Sequence, residues 1–197
     1  MPRRPRRTRT RLRRPAEWLA ARRARRRLVF GAIAIAVALL IGVDRAGWLL
    51  VPTADRARYH LRSVTVVNVI DGDTLDVDLP DAPHATTRIR LWGVDTPERG
   101  DPATQTPPEP GYQQATDATR DWALHQTVTL ELEPHSTRGR YGRLLAYVRL
   151  PDGDLLNERL LDRGLAHADP RFAHSLADRF DLLEAGARKR RIGLWAR

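Results

Sequence analysis

Apolar residues recur with a period of two in five separated stretches of this chain, and that alternation predicts five half-buried strands. Val64 to Val69 is rich in β-branched residues, and Leu75, Val77 and Leu79 alternate with Asp76 and Asp78. Ile89 and Leu91 alternate with Arg88, Arg90 and Trp92, then Val128, Leu130 and Leu132 with Thr127, Thr129, Glu131 and Glu133. The fifth stretch sets Leu144, Ala146, Val148 and Leu150 against Arg143, Leu145, Tyr147 and Arg149. Successive strand residues point to opposite faces, so Arg90 lies opposite Ile89 and Leu91, and Arg143 opposite Leu144 and Ala146. Neither guanidinium enters the apolar interior, and both are free to face a common cleft.

Helical spacing fills the intervals. Tyr112, Ala115, Thr119 and Trp122 share one face before the fourth strand. A second helix is predicted over about Leu155 to Arg163, stopped by Gly164. A third carries Leu176, Phe180, Leu183 and Ala187, with Ser175 and Asp178 in a capping-box pattern at its start and Gly193 past its end. Residues 99–111 (RGDPATQTPPEPG) hold four prolines in 13 residues, which excludes a helix or a central strand and predicts a loop. Five strands with a helix between the third and fourth, and helices at the end, is the order of an OB-type barrel with added helices. The expected fold class is therefore a β-barrel with helices (α+β), a five-stranded OB-fold barrel carrying about three helices.

Ahead of the domain the pattern changes. Leu28 to Val43 is 16 residues without a charge, which as a helix spans roughly 24 Å against a hydrocarbon core of about 30 Å. Trp48 to Val51 extend it past the Asp44–Arg45 interruption. No small-x-small cleavage site follows, so an uncleaved anchor is favoured over a secretion signal, and a loose twin-arginine match at Arg25–Arg26 carries little weight beside so many arginines. The expected division is an Arg-rich cytoplasmic tail over 1–27, a transmembrane or signal segment over 28–51, a linker over 52–61 and one folded domain over 62–197. The positive-inside rule then puts the domain outside the cytoplasm, with secretion as the alternative.

Charge changes the picture mainly by its location. The formal net charge of +10 arises in the first 27 residues, which hold 13 Arg and one acid; from Leu28 onward 21 basic residues face 23 acidic ones. The tail suits nucleic acid or anionic lipid, whereas the near-neutral domain must grip phosphate with a local patch. With no cysteine in the chain, disulfides and thiolate metal sites are excluded. Histidines 60, 84, 125, 135, 167 and 174 show no metal-ligand spacing.

Candidate chemistry concentrates in Asp71-Gly72-Asp73-Thr74, Val94-Asp95-Thr96-Pro97-Glu98 and Tyr141-Gly142-Arg143. Paired Asp residues can hold a hard cation, Glu98 can handle a proton, and Arg90 and Arg143 can neutralise phosphate charge. That inventory points to phosphodiester hydrolysis. The same motifs, with Leu156-Asn157, Gly164-Leu165-Ala166 and Gly193-Leu194-Trp195 in order, resemble those of the staphylococcal nuclease-like (thermonuclease) family over about Arg62 to Arg197. The resemblance implies a Ca²⁺ site made of the carboxylates of Asp73 and Asp95 and the backbone carbonyl of Thr96, with Asp71 close behind. It implies that Glu98 activates or orients the attacking water and that Arg90 and Arg143 contact the phosphate. Arg140 and Tyr141 would bind a terminal phosphate. The implied substrates are DNA and RNA, cleaved with little sequence preference to 3′-phosphate ends, and no protein partner is predicted. The chain departs from the family pattern at Gly139, where an Asp usually stands, and at Asp169 to Phe172, which replace nucleotide-contacting tyrosines. The competing class is a non-catalytic OB-fold nucleic-acid-binding module, which would be free to lose the carboxylate and arginine set that this chain retains.

Overall fold

The computed structural model describes residues 29–36, 38, 50–171 and 173–196. Two compact units are separated, Met1–Ala46 and Gly47–Arg197. In the first, the described residues 29–36 and 38 are helical and exposed. The expected arginine tail and most of the 28–51 segment lie outside the described residues. Among the described residues, no helix is long and apolar enough to cross a membrane.

The second unit opens with α1 (Leu50–Tyr59), so residues 52–61 do not form the expected tether. Asp55 and Tyr59, four residues apart on one helical face, are 7% and 0% exposed. The helix is built into the fold, and its short, mixed sequence gave no apolar period from which to expect this.

Next come β1 (Arg62–Val69), β2 (Thr74–Val77), β3 (Thr87–Leu91), the two-residue β4 (Val94–Asp95) and α2 (Tyr112–Ala123). After them follow β5 (Thr127–Glu131), β6 (Leu144–Arg149), α3 (Leu156–Asp162), β7 (His167–Ala168), α4 (Ala177–Arg190) and a 3₁₀ turn (Gly193–Trp195). The unit thus carries four α-helices where about three were expected. Five strands close into a mixed barrel in the order β1-β2-β3-β6-β5. Neighbours run antiparallel except β3 and β6, which pair in parallel with Arg90 opposite Leu145. Leu75, Val77, Ile89, Leu91, Leu130, Leu144 and Val148 fill the interior, as the alternation predicts, but β2 and β6 are not half-buried as expected, because Asp76, Leu145 and Tyr147 on their other faces are covered as well.

The register of β1 shifts between Val66 and Asn68. A bulge of one residue resets the side-chain phase, so Val64, Val66 and Val69 are all buried although the last two are three apart, while Val67 faces out. On the outer surface of the β2–β3 pair, Asp76 lies opposite Arg88 and accepts from its Nε at 2.8 Å.

The helices cover the barrel with residues somewhat different from those expected. In α2 the buried stripe is Ala115, Thr116, Thr119 and Ala123, small side chains that let the helix approach closely, and Trp122 is only partly buried. Helix α3 ends where Gly164, at φ +67, lets Leu165 N–H reach back to Leu160 O at 2.8 Å. The expected capping box on α4 is absent. Leu176 is the N-cap, and Ser175 donates instead from its backbone N–H and Oγ to Glu133 Oε1, at 2.8 and 2.6 Å. A tertiary acceptor has replaced the local one.

Asn157, fully buried on α3, accepts from Val148 N–H at 3.0 Å and donates from Nδ2 to Trp92 O at 2.9 Å. It thereby ties α3 to β6 and to the end of β3. Asn157→Ala is expected to lower stability by about 2–4 kcal/mol, one desolvation penalty for each group it now pairs. The shift in urea midpoint at constant slope measures it, and an unchanged midpoint would refute the argument.

Candidate active site

At one end of the barrel, the turn before β2 is held against the turn after β4. Asp71 closes an Asx turn by accepting from Asp73 N–H at 3.1 Å. Thr119 Oγ1, from α2, donates to Gly72 O at 2.7 Å. A Cβ at Gly72 would stand 2.8 Å from Thr96 Cγ2 and Oγ1 and 2.9 Å from Ala115 Cβ, so only glycine permits this approach. Asp-Gly-Asp is therefore a packing requirement as well as a source of carboxylates.

Asp73 is enclosed by that approach, with its side chain 1% exposed. Its Oδ2 accepts from Thr96 N–H at 2.8 Å and Thr96 Oγ1 at 3.0 Å. Its Oδ1 pairs with Arg90 Nη1, while Arg90 Nη2 donates to Asp95 Oδ1 at 2.5 Å and more loosely to Val94 O at 3.3 Å. Burial pushes the Asp73 carboxyl up to about 7; Arg90 opposes that rise and the charge of Asp71 adds to it. Arg90 is thus engaged by two carboxylates, and Thr96 enters through its amide and hydroxyl.

Glu98 lies one turn further, exposed, with its backbone tied to the far end of the proline-rich loop. Its N–H donates to Glu109 Oε2 at 3.0 Å, and Glu109 N–H returns a bond to Glu98 O at 2.9 Å. Partial burial raises its carboxyl above the ordinary value, followed by the charge of Asp71; Arg90 pulls the other way and Asp95 and Glu109 add to the rise. These couplings put Glu98 in the field of the Asp71, Arg90 and Asp95 cluster.

Arg143 approaches from the hairpin before β6. Its Nη1 reaches Thr74 Oγ1 at 3.5 Å, and Thr74 Oγ1 in turn donates to Asp73 Oδ1 at 3.1 Å. Its Nε is buried without a hydrogen-bond partner. Among the described residues no carboxylate holds this guanidinium, unlike that of Arg90, so its terminal Nη donors remain available to an anion. Tyr141 is 75% exposed, with the Arg140 and Arg143 guanidinium carbons 5.7 and 5.8 Å from its ring centre. Gly139 takes part in the turn through its backbone, donating to Arg143 O and accepting from Gly142 N–H, both at 2.9 Å.

The sequence reading missed Arg171. The β4–β7 pairing sets Asp95 opposite His167, and Asp169 N–H bonds Gly93 O at 3.0 Å, bringing the following residues over the site. Arg171 then bridges Asp95 Oδ2 at 3.1 Å and Asp169 Oδ1 at 2.7 Å. Two-residue strands carry no readable period, so nothing in the pattern placed Arg171 beside Asp95.

Among the described residues, no group of three or more His, Asp or Glu side chains is placed to share a metal ion. Asp73 and Asp95 nevertheless converge on one guanidinium. Two carboxylates supply an all-oxygen partial shell of the kind hard divalent cations complete with water and phosphate oxygens. The donor set fits such a cation and offers nothing to a thiophilic one.

Comparison with known proteins adds an independent finding. The profile of the family described as "Staphylococcal nuclease homologue" matches residues 88–197. The thermonuclease of Staphylococcus hyicus is 36% identical over 134 residues, 66% of this chain and 74% of that protein. That of Staphylococcus intermedius is 36% identical over 139 residues, 68% and 77% of the two. The endonuclease YncB of Bacillus subtilis is 33% identical over 141 residues, 70% of this chain and 63% of its own length.

Proposed function

The chain belongs to the staphylococcal nuclease-like family, and from that premise we propose that it is a calcium-dependent nuclease hydrolysing phosphodiester bonds of DNA and RNA with little sequence preference. The single observation that carries this reading is the gathering of Asp73, Asp95, Arg90 and Arg143 around one barrel end, with Glu98 in their field. A binding-only barrel would be free to lose this combination of paired carboxylates, arginines and a nearby glutamate, and the chain retains all of it.

Each residue has a distinct task in this reading. Glu98 orients the attacking water and holds its proton on the carboxylate. Arg143 donates its unengaged N–H groups to the non-bridging phosphoryl oxygens, where charge grows in the transition state. Arg90 keeps the Asp73 and Asp95 carboxylates in register and adds positive charge beneath the phosphate. Asp73, Asp95 and the Thr96 carbonyl would hold Ca²⁺, which supplies charge neutralisation at the phosphoryl group. Arg140 and Tyr141, exposed at the rim, receive a terminal phosphate of the substrate. Cleavage leaves 3′-phosphate ends.

The same reading tethers the domain to a membrane, on its outer side. Support for that part is the 13 arginines among the first 27 residues, ahead of 16 uncharged residues.

Digestion of plasmid DNA and of RNA by the full chain tests the proposal. Cleavage is expected with Ca²⁺, loss of cleavage with a chelator, and recovery on adding Ca²⁺ back. Product ends should resist 3′ extension until treated with a phosphatase. Binding of nucleic acid without cleavage under any divalent cation would favour the non-catalytic module instead.

A further inference from the structure

Around Arg138 lies an ion-pair network with no part in the chemistry described above. Asp55, on α1, accepts from Arg138 Nε and Nη2, both at 2.8 Å, and from Thr137 Oγ1 at 2.7 Å. Asp81, in the β2–β3 connection, pairs with Arg138 Nη1 and also accepts from Tyr59 Oη at 3.1 Å. The guanidinium carbon stands 5.5 Å from the centre of the Tyr59 ring. These groups are largely enclosed, with side-chain exposures of 21% for Arg138 and 10% for Asp55. The bidentate grip of Asp55 raises the affinity of Arg138 for its proton, and the Arg138 hydrogen bond holds Asp81 below the ordinary carboxylate range.

What makes the network more than a staple is its fourth partner. Arg138 Nη1 also donates to Gly142 O at 3.1 Å, the carbonyl immediately before Arg143. Residues 138 and 144 form a bridge, and Gly139 N–H bonds Arg143 O, so the segment is a tight hairpin whose tip is stapled from one side by Arg138. Gly139 contributes no side chain to this. The ordering charge comes instead from Asp55, on a helix outside the barrel.

We infer that α1 is a strut for the active site, in which Asp55, through Arg138, fixes the hairpin and so aims Arg143. Asp55 and Arg138 act here as positioning residues: Arg138 lines the cavity that Tyr141 and Arg143 also line, and its effect is carried through Arg143. This rests on the role given to Arg143 in the nuclease reading.

A double-mutant cycle on the full chain tests the coupling, with Arg138→Gln made in the wild-type and Arg143→Ala backgrounds. Turnover, KM and melting temperature are measured, together with equilibrium binding of a short single-stranded oligonucleotide. Arg138→Gln is expected to lower kcat about tenfold where Arg143 is present and less than about twofold where it is absent, with the same non-additivity in oligonucleotide affinity. Asp55→Asn should reproduce the pattern, and Arg138→Lys, which keeps the charge, should recover part of the loss. Should Arg138→Gln fail to fold, Arg138→Lys and Asp55→Asn carry the cycle. Equal losses in both backgrounds, or no loss in either, would overturn the strut. A wild-type protein that binds but does not cut would overturn the nuclease reading instead, while the binding cycle still decides whether Arg138 acts through Arg143.

Discussion

Glu98→Gln lowers turnover by about 10²–10⁴-fold, the usual contribution of a positioned general base, and leaves the melting temperature where it was. The substitution preserves the size of the side chain and removes its charge together with its capacity to hold a proton. Structurally Glu98 contributes through its backbone, by the amide to Glu109 Oε2 and the carbonyl that accepts from Glu109, and neither bond is altered by the change. Oligonucleotide affinity should also persist, since the negative charge lost is not one that attracts phosphate. A steady-state assay with a melting curve on the same sample settles the matter. Turnover within a few-fold of wild type would remove Glu98 from the reaction.

Arg143→Ala lowers kcat by about 10²–10³-fold, the loss that follows removal of one preorganised donor to a developing oxyanion. Here too the fold should hold, for a specific reason. Among the described residues the Arg143 side chain makes one long hydrogen bond, to Thr74 Oγ1 at 3.5 Å, and stands over the exposed Tyr141 ring at 5.8 Å, while its Nε is buried without a hydrogen-bond partner, so the native structure gains little from it. Arg90 is unsuited to the same experiment, because its removal would leave Asp73 enclosed without its counter-charge. Kinetics and urea unfolding of the Arg143 variant, measured together, separate the two kinds of contribution. A large loss of stability, or near-normal kcat, would contradict the assignment.

Much of this architecture was legible in the alternation of residues. Strands with one face in the barrel must repeat every two residues, and Leu75, Val77, Ile89, Leu91, Leu144 and Val148 obey that rule and are buried. The period also put Arg90 and Arg143 outside the interior. It could not show that Arg90 is engaged by Asp73 and Asp95 while Arg143 is not, since that depends on how two turns distant in sequence meet. Asp71-Gly72-Asp73 and Asp95-Thr96-Pro97-Glu98 were readable as sources of chemistry, whereas the need for glycine at position 72 is visible only once Thr96 and Ala115 are seen against it. Helix α1 was missed because it is anchored by a polar network rather than an apolar stripe. Arg171 was missed because a pair of two-residue strands delivers it. Ser175 misled in the opposite direction, since a good local capping pattern lost to Glu133.

The parallel seam between β3 and β6 has a consequence for how the chain comes to be active. Strands β1, β2 and β3 are joined by short connections and can associate early, but β6 lies more than fifty residues beyond β3. Closing a loop of that length carries an entropic cost that contacts nearby in sequence avoid, so the seam belongs to the slow, non-local part of folding. Arg90 and Arg143 sit on its two sides. A chain folded only as far as β3 and β4 would carry Asp73, Arg90 and Asp95 without the second arginine, and it is closure of the barrel that brings Arg143 to them.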